Sequence, residues 1–493
     1  MTVVVPAIMP TAMAQACLRC KTQKRKCDRL LPVCSLCRRL NRSCCYAGPD
    51  AVGPRPLPVP DLLDLTLANI GHTLEGQVSA IIGPPPRVLA AAQAYFRTVH
   101  PWLPVVAEDA YLGQLSACRT QPMRASFGLL TLSMYLVCAE TLPVDGERRE
   151  QQQQQQRERP EVTARTKALY ALLKSFVGML EALQDDDVDD DNSPSLVEIL
   201  QSRLLLSVFE MGHGLSPAAY VSTGANVRVA VCLGADAASS GRRRQNTPQP
   251  AGHAASAQQA WRGVVIANRY ATLLSGRGSC PPPKPSSLEV DEHTFGLNVH
   301  TTPSQIDSFT RLAHASRLLE QVLAHIHETT PHHEFNTAEA FQIIKTATAF
   351  MQTFSDGDPA ENAILSSAMA VCRSAVMEIL EFGSRVVQPD SEFCNRASVN
   401  MLKTVVEELV HGASRLLSSP SVVRTESLSV FIAHPLYKAA MVYLRDLTES
   451  DRMEMGPSIK PLRDVLLLIG KRWAAAGRYI DEIDRFQKYS ETR

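Results

Sequence analysis

The sequence contains no apolar run of the ~18–20 residues needed to cross a bilayer, so no membrane partner is expected. It has no net charge either. Its 493 residues hold 50 Lys plus Arg against 50 Asp plus Glu, a balance that by itself points to no particular partner. A G-x-S-x-G elbow, a phosphate-loop pattern and a dinucleotide fingerprint are all missing. The nearest approach to a catalytic constellation is the cluster of His325, His327, Glu328, His332 and His333. The zinc-protease spacing requires a histidine at position 331, where Pro331 stands and would break the helix. The cluster reads as a polar helix end, and no enzymatic activity is expected. The opening MTVVVPAIMPTAMAQA lacks a basic n-region and is interrupted by two prolines, so residues 1–16 read as a disordered leader and not as a signal peptide.

What is present is unevenly placed. Hydrophobic residues at 45% and charged residues at 20% suit a soluble globular protein of two or three domains, and the 32 prolines signal local disordered connections. Seven of the thirteen cysteines fall within residues 17–45. The other six (Cys118, Cys138, Cys232, Cys280, Cys372, Cys394) are dispersed in mostly apolar surroundings, as expected of small buried hydrophobes in a reducing compartment. Charge is segregated too. Residues 17–46 hold nine basic residues and one acid, Asp28, for a net +8, which leaves −8 on the remainder. A small basic head on a mildly acidic body is the layout of a chain that meets a polyanion through one short segment.

That head reads CLRCKTQKRKCDRLLPVCSLCRRLNRSCCY, with the spacing C-x2-C-x6-C-x6-C-x2-C-x6-C over Cys17, Cys20, Cys27, Cys34, Cys37 and Cys44. It is one unit written twice. Each half supplies three thiolates, one short of the four that zinc prefers, and both halves can be completed only if two sulfurs are shared between two zinc ions. Thirty residues cannot bury enough apolar surface to offset chain entropy, so metal would have to supply the stability. A disulfide knot does not explain the interleaved basic residues, and redox chemistry does not need six matched cysteines. A protein-binding zinc module and a soft-metal store stay open on spacing alone.

The segment resembles the binuclear zinc cluster of fungal transcription factors, the Zn2Cys6 type, in its spacing, its KRKCD run, Pro32 two residues before the fourth cysteine, and a final C-x-Y at Cys44 and Tyr46. The resemblance implies two Zn2+ per chain, Cys17 and Cys34 as bridging ligands, and Cys44 in preference to the adjacent Cys45 as the sixth ligand. It further implies double-stranded DNA as partner, a nuclear location, and regulation at RNA polymerase II promoters. Activation is the commoner outcome in the family, and metabolic or secondary-metabolite pathways are typical targets. Lys24 occupies the position that in the family donates to guanine O6 and N7, which suggests CGG-like triplets. Gln23 departs from the family's usual basic residue and bears on recognition beside the triplet. Lys21, Arg25, Lys26, Arg38, Arg39 and Arg42 are read as phosphate contacts. The alternative function is a zinc-module interaction scaffold without direct DNA readout.

Beyond the head, five prolines in residues 47–60 predict an extended linker. In residues 61–82, Leu63, Leu67, Ile70, Leu74, Val78 and Ile81 form a short heptad-like seam, able either to pair two chains as a homodimer or to pack onto the body. From residue 87 to 493 the pattern is apolar-periodic with almost no strand alternation. Helical stretches are expected from Arg124, Leu196, Gln259, Gln305, Ala338, Ala360, Val399, Ser429 and Lys460. The pieces YFRTVHPWLPVV, AAYVSTGANVRVAVCLG and WRGVVIANRYATLLSGR, with a fainter RWAAAGRYID at 472–481, resemble the middle homology, or fungal-specific, regulatory domain of the same family. The resemblance implies a control module that meets transcriptional machinery or co-regulators, or a small-molecule effector. Arg228 and Arg269 lie among apolar residues and are expected to need acceptors. Low-complexity inserts near 144–161, 184–194 and 236–258 are read as disordered loops. The fold class expected is mainly α: a two-zinc six-cysteine module, a Pro-rich linker and a large all-α domain with disordered insertions.

Overall fold

The computed structural model describes residues 15–30, 33–40, 44, 66–139, 164–183, 195–232, 251–277, 307–353, 362–385, 392–418, 424–445 and 459–491. The linker 47–60 and the inserts at 144–161 and 184–194 lie outside them. Among the described residues the regular elements are helices and no β-strand forms, in agreement with the mainly α expectation. None of these helices is long and apolar enough to cross a membrane. Chain contacts divide the protein into two units, residues 1–59 and 60–493.

The first unit contains two five-residue helices, α1 (Leu18–Thr22) and α2 (Ser35–Arg39). The second begins with α3 (Leu67–Ile81), α4 (Pro85–Thr98), α5 (Glu108–Ala117) and α6 (Ala125–Cys138). It continues through α7 (Ala164–Ala182), α8 (Leu196–Gly212), α9 (Ser216–Cys232) and α10 (Ala251–Ser275). Next come α11 (Ser308–His327), α12 (His333–Gln352), α13 (Asn362–Leu365), α14 (Ser367–Arg385) and α15 (Glu392–Ser418). Helices α16 (Ala433–Arg445), α17 (Lys460–Gly470) and α18 (Ala474–Glu491) complete it.

Helix α6, ASFGLLTLSMYLVC, is apolar on every side and buried along almost its whole length, the expected fate of a helix without a polar face. Its hydroxyls survive burial by donating one turn back, Thr131 Oγ1 to the Phe127 carbonyl (2.8 Å) and Ser133 Oγ to that of Leu129 (2.9 Å). Helix α8 docks on it through the buried Glu198, whose carboxylate accepts from Arg124 Nη2 (2.9 Å) and Ser126 Oγ (2.6 Å).

The seam in α3 is spent on this same packing. Ile70, Leu74 and Val78 are buried in the body's core and α3 lies against α6. Of the two alternatives for 61–82, these contacts are those of packing onto the body; Leu63 lies outside the described residues. Two corrections concern the body. Residues 251–258, expected in a loop, form the first two turns of α10, where AGHAASAQ supplies good helix formers and Ala257 packs against the core. Arg228 is exposed and needs no acceptor from the protein, whereas Arg269 is half-buried, donates from Nη1 to Ser316 Oγ (3.1 Å) and pairs through Nη2 with Glu320. Of the dispersed cysteines, Cys138 and Cys372 are buried, with burial pushing their thiols up to about 11 and about 12. Cys118 is half-buried and Cys232 is exposed, against expectation.

The core runs without interruption from Ile70 to Ile483, so the last helices belong to the same body as the first. Trp102 meets Phe431 edge-on at 5.8 Å, and Trp473 donates from Nε1 to the Leu428 carbonyl at 2.8 Å. Helix α8 accommodates this indole because residue 212 is glycine: a Cβ there would lie 2.1 Å from Trp473 Cε3. Gly212→Ala is expected to cost about 1–3 kcal/mol by overpacking, read as a lower urea midpoint with unchanged zinc content. An unaltered midpoint would mean that the Trp473 ring has free room to move.

Candidate metal centre and nucleic-acid interface

The duplicated sequence folds into a duplicated structure. A shift of seventeen residues carries α1 onto α2, Cys17 onto Cys34, Cys20 onto Cys37 and Cys27 onto Cys44. Hydrogen bonds repeat in the same register: Cys17 N–H donates to Cys27 Sγ at 3.5 Å, and Cys34 N–H to Cys44 Sγ at 3.3 Å. Each helix opens one residue after the first cysteine of its pair, so the second cysteine lies one turn on, on the same face.

Six sulfurs converge as a result. Those of Cys17, Cys20, Cys27 and Cys34 lie within 4.8 Å of one another, as do those of Cys17, Cys34, Cys37 and Cys44. The two groups overlap in Cys17 and Cys34, the pair given as bridging by the resemblance. A tetrahedral zinc with bonds of about 2.3 Å spaces its sulfurs by about 3.8 Å. Cys17 to Cys34 is 3.9 Å, Cys17 to Cys37 is 3.8 Å and Cys20 to Cys34 is 3.8 Å. The donor set fits zinc by type, number and spacing. No other group of three or more His, Cys, Asp or Glu ligand atoms converges in this way among the described residues, the His325–His333 cluster included.

The sulfurs differ electrostatically. Burial raises the thiols of Cys20 and Cys37, the latter to about 12. Desolvation acts in the same direction at Cys27 and Cys34 but is outweighed by backbone N–H donors, from Cys17 and Arg29 to Cys27 and from Cys37 to Cys34, which leave both below the ordinary thiol value. Four buried sulfurs packed this closely can be thiolates together only with a cation among them.

The basic run is helical only at its start. Helix α1 stops at Thr22, and Lys24 sits beyond it in the left-handed region at φ 50°. Arg25 N–H donates to the Cys20 carbonyl (2.8 Å) and Lys24 N–H to that of Lys21 (3.2 Å), the paired bonds of a Schellman cap. Glycine usually fills this position; here it is lysine. Lys21, Gln23, Lys24, Arg25, Lys26, Arg38 and Arg39 are all exposed, while Arg42 lies outside the described residues, as do Cys45 and Tyr46.

One residue of the head escaped the sequence reading. Both carboxylate oxygens of Asp28 accept from Ser35 N–H (3.1 and 3.0 Å), so the first half caps the helix of the second. These bonds hold the Asp28 carboxyl below its usual value. No local capping pattern reveals a cap seven residues upstream.

The family model described as "Fungal Zn(2)-Cys(6) binuclear cluster domain" matches residues 15–51, and that described as "Fungal specific transcription factor domain" matches residues 92–251. Both are families of transcription factors, not of enzymes. The chain is 29% identical over 140 residues to "Transcription factor BOA15" of Botryotinia fuckeliana (strain B05.10), a stretch covering 28% of this chain and 63% of that protein. The chain thus spans just under two thirds of that relative's length. No solved structure matches. The head thus matches the fungal Zn2Cys6 cluster domain, and part of the helical body matches the fungal-specific transcription factor domain.

Proposed function

We propose that this protein regulates transcription in the nucleus by binding double-stranded DNA through its head. Two Zn2+ are held by Cys17, Cys20, Cys27 and Cys34 and by Cys17, Cys34, Cys37 and Cys44. The observation that carries the reading is the overlap of these two four-sulfur groups directly beneath an exposed basic turn. When bound, zinc supplies folding energy and no chemistry. The chain's residues do the recognition.

The two halves are not equivalent toward DNA. Under the seventeen-residue shift Lys24 corresponds to the neutral Asn41 and Lys26 to Ser43, whereas Lys21 and Arg38 are both basic. The first half therefore reads base edges, with Lys24 on guanine O6 and N7 of a CGG-like triplet and Gln23 beside it. Lys21, Arg25, Lys26, Arg38, Arg39 and Arg42 hold phosphates and fix the register. The helical body sets when the bound factor acts.

Fluorescence anisotropy of the zinc-loaded chain on a CGG-containing duplex, against a scrambled one, tests the reading across a salt series. With up to six phosphates neutralised at about −0.9 each, log Kd against log salt should have a slope approaching about 5. A preference for the CGG duplex should persist at every salt concentration. Absence of duplex binding even at low salt would favour the interaction-scaffold reading.

A further inference from the structure

The body contains a cavity lined by none of the head's residues. It measures about 240 Å³ and opens where the end of α11 and helices α12, α14 and α15 meet. Its walls are largely apolar, with Ala340 and Ile344 from α12, Ile379 and Leu380 from α14, and Met401 from α15. The roof is α12, which buries only Ile343 and Ala347 of its twenty residues and leaves Phe341 half-exposed at the cavity. A helix held so lightly over an apolar space can move aside without opening the rest of the core.

Of the polar side chains on its wall, which include Thr329, His333, Thr337, Asn395 and Ser398, His325 is the buried one. His325 lines the cavity and is 6% exposed. Its Nδ1 lies 2.6 Å from Glu339 Oε2, and Phe382 packs edge-on to the ring at 6.0 Å, which fixes the ring's rotation. The carboxylate accepts from Nδ1–H, and in the neutral ring Nε2 is then the acceptor. Among the described residues no hydrogen bond engages Nε2. Asn336, also at the wall, is occupied: its side chain accepts from Thr330 Oγ1 (2.7 Å) and donates to the Thr330 carbonyl (2.8 Å), closing the turn between α11 and α12.

We propose that this cavity binds a small planar aromatic alcohol, with the rings between α12 and α14 and the hydroxyl donating to His325 Nε2. An apolar cavity of roughly 150 Å³ accepts a single benzene ring, so the space here suits two fused rings carrying one polar group. Largely apolar walls with a small number of placed polar groups are the usual composition of a small-molecule site. The ligand bridges α12 to the body, and its binding stabilises the closed position of that helix. The site does not depend on DNA recognition by the head.

Equilibrium dialysis of the full zinc-loaded chain against 2-naphthol and against naphthalene tests the assignment. 2-Naphthol is expected to bind about tenfold more tightly than naphthalene, the effect of one buried hydrogen bond made or missing. His325→Phe should bring the two probes to within about twofold of each other, because only the hydroxyl contact is lost. Ala340→Trp fills the space from the lightly held α12 and should weaken both probes by about tenfold or more. Equal affinity of the two probes for the unmodified chain, no binding of 2-naphthol up to its solubility, or undiminished binding by Ala340→Trp would each overturn the proposal. The probe comparison needs no variant, so it decides the matter even if His325→Phe misfolds.

Discussion

Cys34→Ala is expected to empty both metal positions at once and unfold the head, whereas Cys20→Ala should leave one zinc in place. The asymmetry follows from the sharing of sulfurs. Cys34 and Cys17 belong to both four-sulfur groups, while Cys20 and Cys27 serve only the first, and Cys37 and Cys44 only the second. Removing a shared sulfur leaves three ligands in each group, and the backbone N–H of Cys37 also loses its acceptor at 3.4 Å. Structural zinc contributes ~10 kcal/mol or more per site, far beyond what two five-residue helices can replace by packing. Native mass spectrometry of the intact chain should therefore count two, one and no zinc ions in the unmodified, Cys20→Ala and Cys34→Ala proteins. Full chelation should remove the head's helical signal while leaving the body's cooperative unfolding in place. Two ions retained by Cys34→Ala would refute the shared-ligand arrangement.

The contrast between the halves of the molecule explains what the sequence made legible. In the head, ligand chemistry dictates spacing, and spacing is visible in a sequence: six cysteines in a seventeen-residue register give two three-sulfur halves that must share two sulfurs, while the choice of Cys17 and Cys34 as the shared pair comes from the resemblance. In the body, apolar periodicity located helices but not their partners. The seam through Ile70, Leu74 and Val78 looks the same whether it meets a second chain or α6, since periodicity records that a face is buried and not by what. Helix α8 starts at Leu196 as expected because Ser195 caps it, its side chain accepting from Glu198 N–H at 3.5 Å. Helix α10 starts eight residues before the expected Gln259, because the segment read as a loop by composition holds four alanines, the best helix former. Arg228 and Arg269 look equivalent in sequence, and only the packing of α11 onto α10 gives Arg269 its Glu320 partner. The Asp28 cap and the Trp473 contact at Gly212 join residues far apart for any local pattern.

The left-handed backbone of Lys24 allows its side chain to be tested apart from its structural role. Truncating it in Lys24→Ala should leave zinc content unchanged and flatten the preference for a CGG triplet over a scrambled one, by the ~1–3 kcal/mol that a good base contact supplies, or about 5- to 150-fold. A loss of selectivity alone would not exclude a disturbed turn, because an alanine there keeps the strained backbone. Lys24→Gly separates the two causes. Glycine adopts φ near 50° without the penalty of about 1 kcal/mol or more that a β-carbon incurs, and the Schellman bonds from Arg25 and Lys24 N–H to Cys20 and Lys21 need only the backbone. This variant should therefore unfold at the same or a higher temperature than the parent while discriminating no better than Lys24→Ala. Lys24→Arg, which keeps the charge and can span O6 and N7 itself, should retain most of the preference. If Lys24→Gly keeps full selectivity in a competition assay with both duplexes present, base recognition does not reside on this turn, and the exposed cations of the head serve only to hold phosphate.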